Sequence, residues 1–104
     1  SRKRILCIMA EWKHSRVDTS DNLTTIESVA CLVKGVYINS TLSNHVVEIM
    51  DDTSKVFTIP AGATAGNAYD FDTTRFEDKL IVDPDDSSTG SITIMYNIMG
   101  EAHG

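Results

Sequence analysis

Between Val33 and Tyr96, short apolar and β-branched runs alternate with clusters of turn-forming residues. Strict alternation is clearest at the end of this stretch. From Ser91 to Met99, Ile92, Ile94, Tyr96 and Ile98 take one face while Thr93, Met95, Asn97 and Met99 take the other, which predicts a strand half buried against a core. Lys79 to Val82 predicts a further strand, closed by the turn-rich segment Asp83 to Gly90, in which proline presets φ and glycine accepts positive φ. The two are expected to pair as a long-looped hairpin. Upstream, Val46–Met50 and Val56–Ile59 flank Asp51-Asp52-Thr53-Ser54, a spacing that predicts a tight β-hairpin.

Val29 to Ile38 predicts a longer strand broken at Gly35, where a bulge or the close approach of another backbone is expected. Asn39 to Asn44 is a polar connection, and the small-residue run Ala61 to Gly66 is expected as a surface loop. Asp70 to Phe76 should supply an aromatic pair to the core or a short edge strand. In the first quarter, Ile5, Ile8, Met9 and Trp12 fit helical spacing, yet the continuous run Ile5 to Met9 equally suits a buried strand. The β character downstream favours the strand, with Asp18 to Thr25 following as a polar loop. The whole predicts an all-β fold, a jelly-roll-like β-sandwich of about seven to eight short antiparallel strands.

At 104 residues the chain is expected to form a single domain, with residues 1–20 as a basic attachment arm or first strand. A domain of this size buries about 65% of the surface its unfolded chain exposes, so disulfide staples are not required. Cys7 and Cys31 each sit in apolar surroundings and are expected as buried free thiols. Glu11, Trp12 and Lys13 cut short the apolar run from Ile5, so no signal peptide or membrane span is read, and synthesis in the cytosol is expected. The net charge of −6 is split unevenly: the first twenty residues carry +3 and the remainder −9. A basic terminus on an acidic body favours docking against an acidic protein neighbour. It disfavours nucleic acid, because the acidic body repels phosphate and Trp12 alone stands near the basic residues as a stacking platform.

Candidate chemistry is sparse. His14, His45 and His103 lie too far apart in sequence to share one face with a carboxylate, and no cofactor is expected. No serine occupies a glycine-flanked nucleophile elbow, and no cysteine motif marks a nucleophile. Asp83, Asp85 and Asp86, beside Ser87 and Ser88, form the best oxygen-rich loop for calcium. They lack the glycine and glutamate spacing of a helix-loop-helix calcium site, and aspartates favour turns by bonding their own backbone. Asn22-Leu23-Thr24 and Asn39-Ser40-Thr41 match the glycosylation sequon without a secretory context.

The motif order is more informative than any single residue. Lys34-Gly35-Val36, the strand ending in Asp51, Phe57-Thr58-Ile59-Pro60-Ala61, Arg75-Phe76 and Thr89-Gly90-Ser91-Ile92-Thr93-Ile94-Met95-Tyr96 together resemble small β-sandwich structural proteins of tailed bacteriophage virions. The resemblance covers about sixty residues and leaves the first thirty aside. It implies a non-enzymatic virion protein, above all a capsid decoration or cement protein bound to the major capsid protein, often as a homotrimer. A small head-tail or tail component is the variant of the same reading. Arg2, Lys3, Arg4, Trp12, Lys13 and Arg16 are the candidate partner-binding residues, since basic arms and added strands cross-link subunits without an active site. The rival expectation is a carbohydrate- or receptor-binding module, which calls for exposed aromatics near polar loops.

Overall fold

The computed structural model describes residues 12–98, and the outcome is all-β: eight strands, no helix among those residues, and two antiparallel sheets packed face to face. The strands are β1 (Lys13–Asp18), β2 (Thr24–Glu27), β3 (Cys31–Ser40), β4 (Val47–Asp51), β5 (Ser54–Ile59), β6 (Ala68–Phe76), β7 (Leu80–Pro84) and β8 (Ser91–Ile98). One sheet has the order β1-β8-β3-β6 and is called sheet A; the other, sheet B, has the order β2-β7-β4-β5. The pairings β1 with β8, β2 with β7, β3 with β6 and β4 with β5 are the rungs of one long antiparallel hairpin wound round a barrel. Winding sends alternate rungs to alternate sheets, and the pairings β3 with β8 and β4 with β7 then knit each sheet together. This is the jelly-roll arrangement.

The β4–β5 turn is the tip of that hairpin, as the sequence predicts. Asp51 faces Ser54, and Asp52 turns the corner at φ 55°. Every other connection crosses between sheets. That crossing overturns the expected pairing of β7 with β8: their loop carries the chain from sheet B to sheet A, and β7 pairs with β2 and β4 instead. Two further expectations change. Lys13–Asp18 is a strand within the segment expected as an arm or first strand, and Thr24–Glu27 is a strand whose first two residues fall in the expected polar loop Asp18 to Thr25. The expected strand from Val29 begins only at Cys31, and Val29 is exposed in the connection before it. The run Ile5 to Met9, the Arg2-Lys3-Arg4 cluster, Cys7 and His103 lie outside the described residues.

Alternation supplies the core. Val33, Val36, Ile38, Ile92 and Ile94 point inward from sheet A to meet Val47, Ile49, Ile59, Leu80 and Val82 from sheet B, all essentially buried. Each such aliphatic side chain contributes about 1.5–3 kcal/mol relative to exposure. Edge strands are joined across the sandwich by aromatic rings: Phe57 of β5 lies 5.3 Å from Tyr69 and 5.0 Å from Phe71 of β6, both tilted. On the opposite side, the Tyr96 hydroxyl of β8 donates to Glu27 Oε2 of β2 at 2.9 Å. Against β8 the register of β3 shifts between Val33 and Gly35 because Lys34 is an extra residue of β3, a bulge; against β6 the extra residues lie on β6, where Phe71, Asp72 and Thr73 stand opposite Lys34 alone and Asp72 and Thr73 take positive φ. Gly35 is obligatory there, because a Cβ would stand 2.5 Å from the Tyr69 carbonyl oxygen. The expectation of a bulge and a close backbone approach is met by one residue.

Asp51 fixes another crossing. Its carboxylate, at the end of β4, accepts the N–H groups of Glu77 (2.7 Å), Asp78 (2.9 Å) and Lys79 (3.1 Å), which tether the β6–β7 connection to sheet B. Partial burial pushes its pKa up, the three N–H donors pull it down, and the donors prevail.

Candidate functional site

Two concave sites lie on the outer face of sheet A. Outward positions follow from the register: inward Val36 and Ile38 alternate with Tyr37, which faces Thr93, and Thr93 faces Arg16. Tyr37 keeps 41% of its surface in solvent. Trp12, just before β1, is half-buried with Lys34 Nζ 5.6 Å from its ring centroid. Such a cation over an indole face at an exposed site contributes about 0.5–1 kcal/mol. The bulge supplies this contact, since it projects Lys34 as the additional outward residue of β3. Beside Lys34, a shallow depression of about 190 Å³ is lined by Gly35, Val36, Ala68, Tyr69, Asp70 and Met95.

The opposite end of the same face is polar. An open groove of about 590 Å³ is lined by Arg16, Asp18, Ser20, Asp21, Ser40, Thr89, Gly90 and Ser91. Three distant stretches meet there because Asp18 and Ser40 both pair with Ser91. Arg16 Nη2 donates to Ser91 Oγ at 3.3 Å, and the Ser91 and Ser40 hydroxyls are 2.9 Å apart. Asp18 Oδ1 accepts the Ser20 N–H at 2.9 Å and the Ser20 hydroxyl at 2.7 Å. Those Ser20 donors, with the nearby Arg16 charge, hold the Asp18 carboxyl below its ordinary range. The backbone beneath is tied down, with the Thr19 N–H on the Gly90 carbonyl (2.9 Å) and Thr89 N–H on Ser43 Oγ (2.9 Å).

The residues singled out from sequence are thus divided rather than gathered. Trp12 joins Lys34 at one end of the face, Arg16 joins the groove at the other, and Lys13 opens β1 opposite Tyr96. Lys34, Tyr37, Asp18 and Ser91 were not singled out as contact residues, and only their register on sheet A brings them to these places. Asp83, Asp85 and Asp86 do not gather as a metal site: no group of three or more His, Cys, Asp or Glu among the described residues could hold an ion. Asp85 Oδ1 instead accepts the Asp86 N–H at 3.2 Å, and the Asp85 carbonyl accepts the Ser88 N–H at 3.2 Å, which is turn chemistry. Cys31 is a free thiol buried in the core, as expected from its neighbours, and burial first, then the Glu27 and Asp51 charges, push its pKa up to about 11. A thiol held so far from its thiolate is a poor nucleophile at neutral pH.

No known protein family matches the chain, and neither the curated proteins nor the solved structures yield a match.

Proposed function

We propose that this chain is a non-enzymatic structural protein of a virion, a decoration or cement protein that binds capsid subunits through the Trp12 end of sheet A and its basic lead-in. The observation that carries the reading is the Trp12–Lys34 pair, which sets an indole and a cation on the outside of the sandwich. Aromatic and cationic side chains of this kind anchor protein interfaces. The order of strand motifs, which resembles that of small phage virion proteins, supplies the kind of partner. A wound eight-strand sandwich supplies the rigidity that a cement role requires. A homotrimer on the shell is part of the proposal, because three copies of a weak contact bind far more tightly than one.

Cosedimentation with tailed-phage capsid shells tests it. The protein should travel with assembled shells, and light scattering should give a trimer. Removal of residues 1–4, or Trp12→Ala combined with Lys34→Glu, should release it from the shells without lowering its melting temperature. A folded wild-type protein that stays behind when the shells sediment overturns the proposal.

A further inference from the structure

The polar groove at the Asp18 end of sheet A has no part in shell binding as proposed, and its lining is unusual. All eight of its residues are polar or glycine. Its volume falls in the range of about 300–1,000 Å³ found for small-molecule sites. We infer that this groove binds a neutral polyhydroxylated ligand, a sugar ring or the end of a glycan.

Complementarity decides the ligand class. Asp18 and Asp21 are acceptors when ionised, Arg16 is a donor, and the Ser20, Ser40, Thr89 and Ser91 hydroxyls serve as either. A ligand matching this set must both donate and accept at neighbouring atoms, as a pair of adjacent sugar hydroxyls does. Both bonds from Ser20 go to Asp18 Oδ1, which fixes the carboxylate while Oδ2 keeps its capacity to accept a ligand hydroxyl. Arg16 is held in turn by Ser91 Oγ, and the Ser40–Ser91 hydroxyl pair can reorient its protons to suit either partner. Two carboxylates against one guanidinium disfavour phosphate or sulfate. A cation is disfavoured by the lack of a third convergent ligand among the described residues.

The face also offers an aromatic platform at the right remove. Tyr37 shares a cross-strand row with Thr93 and Arg16, two strand spacings or roughly 10 Å from Arg16. A first ring hydrogen-bonded between Asp18 and Arg16 would place a second ring over Tyr37, which keeps 41% of its surface in solvent. This inference does not depend on the virion reading, and it is tested on the isolated protein.

Backbone amide NMR of the full chain, titrated at millimolar concentration with glucose, galactose, mannose and N-acetylglucosamine and their trisaccharides, distinguishes the sources. At least one neutral sugar should shift the Ser20, Ser40, Gly90 and Ser91 amides, and its trisaccharide should also shift Tyr37. Asp18→Asn keeps an oxygen for the Ser20 cap yet should weaken binding at least about tenfold, the loss expected for one charge-assisted hydrogen bond. Tyr37→Ala should weaken the trisaccharide and leave the monosaccharide unchanged. Absence of shifts at the groove with every sugar overturns the inference, as does tighter binding of inorganic phosphate than of any sugar, or undiminished affinity in a folded Asp18→Asn variant.

Discussion

Replacing Asp51 isolates the interaction that holds the β6–β7 crossing, and its cost can be worked from three distances. Glu77, Asp78 and Lys79 each donate a backbone N–H to this carboxylate at 2.7, 2.9 and 3.1 Å. A net hydrogen bond contributes about 0.5–1.5 kcal/mol, more when the acceptor is charged. The Glu77 and Asp78 bonds are exposed and the Lys79 bond partly buried, so water replaces part of what a truncation removes. Asp51→Ala should therefore cost about 2 kcal/mol, which for a domain of this size lowers Tm by roughly 8–16 °C. Asp51→Asn keeps an oxygen for the Oδ1 bonds but sets an amide N–H₂ against the Glu77 N–H, and should cost about half as much. The pH dependence is a second, independent reading. The folded pKa lies below the ordinary value of 3.8, so the carboxylate's contribution is fully present above that value and is lost as pH falls through the folded pKa. The gap between wild type and Asp51→Ala, measured by urea unfolding, should be widest near neutrality and narrow through the acid limb. Equal stability at neutral pH, or a gap that persists unchanged into strong acid, would refute the assignment of these bonds to the charged form.

Three other outcomes follow from single sites. Gly35→Ala forces a Cβ to 2.5 Å from a backbone oxygen that cannot move aside alone, and should destabilise by about 2–3 kcal/mol in a thermal melt; an unchanged Tm would contradict the close β3–β6 approach. Ser88 Oγ is buried with no hydrogen-bond partner, so Ser88→Ala should raise stability by about 1 kcal/mol, and a loss of stability would mean that the hydroxyl has a partner. In a Cys7→Ser background, Cys31 should react with an aromatic disulfide reagent only after unfolding, and labelling of the native protein at the rate of a free thiol would show that the core opens there.

What was legible in the sequence is what local forces decide. The β4–β5 hairpin carries its own turn chemistry, β8 its own alternation, and Gly35 its own steric exemption, so each could be read without knowing the partner strand. The strands least legible are those whose local signal is weak. In Lys13–Asp18 only Val17 is buried, and the four residues of β2 bury none fully, because both are edge strands with a neighbour on one side. Their strand character is imposed by β8 and β7. The pairing of β7 with β8 was misread for the opposite reason: adjacency in sequence favours a hairpin, but winding the long hairpin round the core puts consecutive strands in different sheets. The groove was invisible on the same ground, since the hydrogen bonds that draw its walls together, Ser40 to Ser91 and Arg16 to Ser91, join residues 51 and 75 positions apart.

That winding also explains how one face can hold two sites. β1 and β8 run antiparallel at one side of sheet A, so the start of β1 meets the end of β8 at the Trp12 patch, and the end of β1 meets the start of β8 at the groove. Lys13, which faces Tyr96, and Asp18, which faces Ser91, are separated by five residue intervals, on the order of 17 Å. Substitutions that far apart, with no shared partner, act independently to within about 0.5 kcal/mol. A partner covering Trp12 and Lys34 would leave Asp18, Ser20 and Ser91 open on the outward side, and a ligand in the groove would not touch the indole. On the two proposals, loss of shell binding and loss of sugar binding should therefore be separable. A single variant that removed both while the protein stayed folded would show that the two ends are one surface.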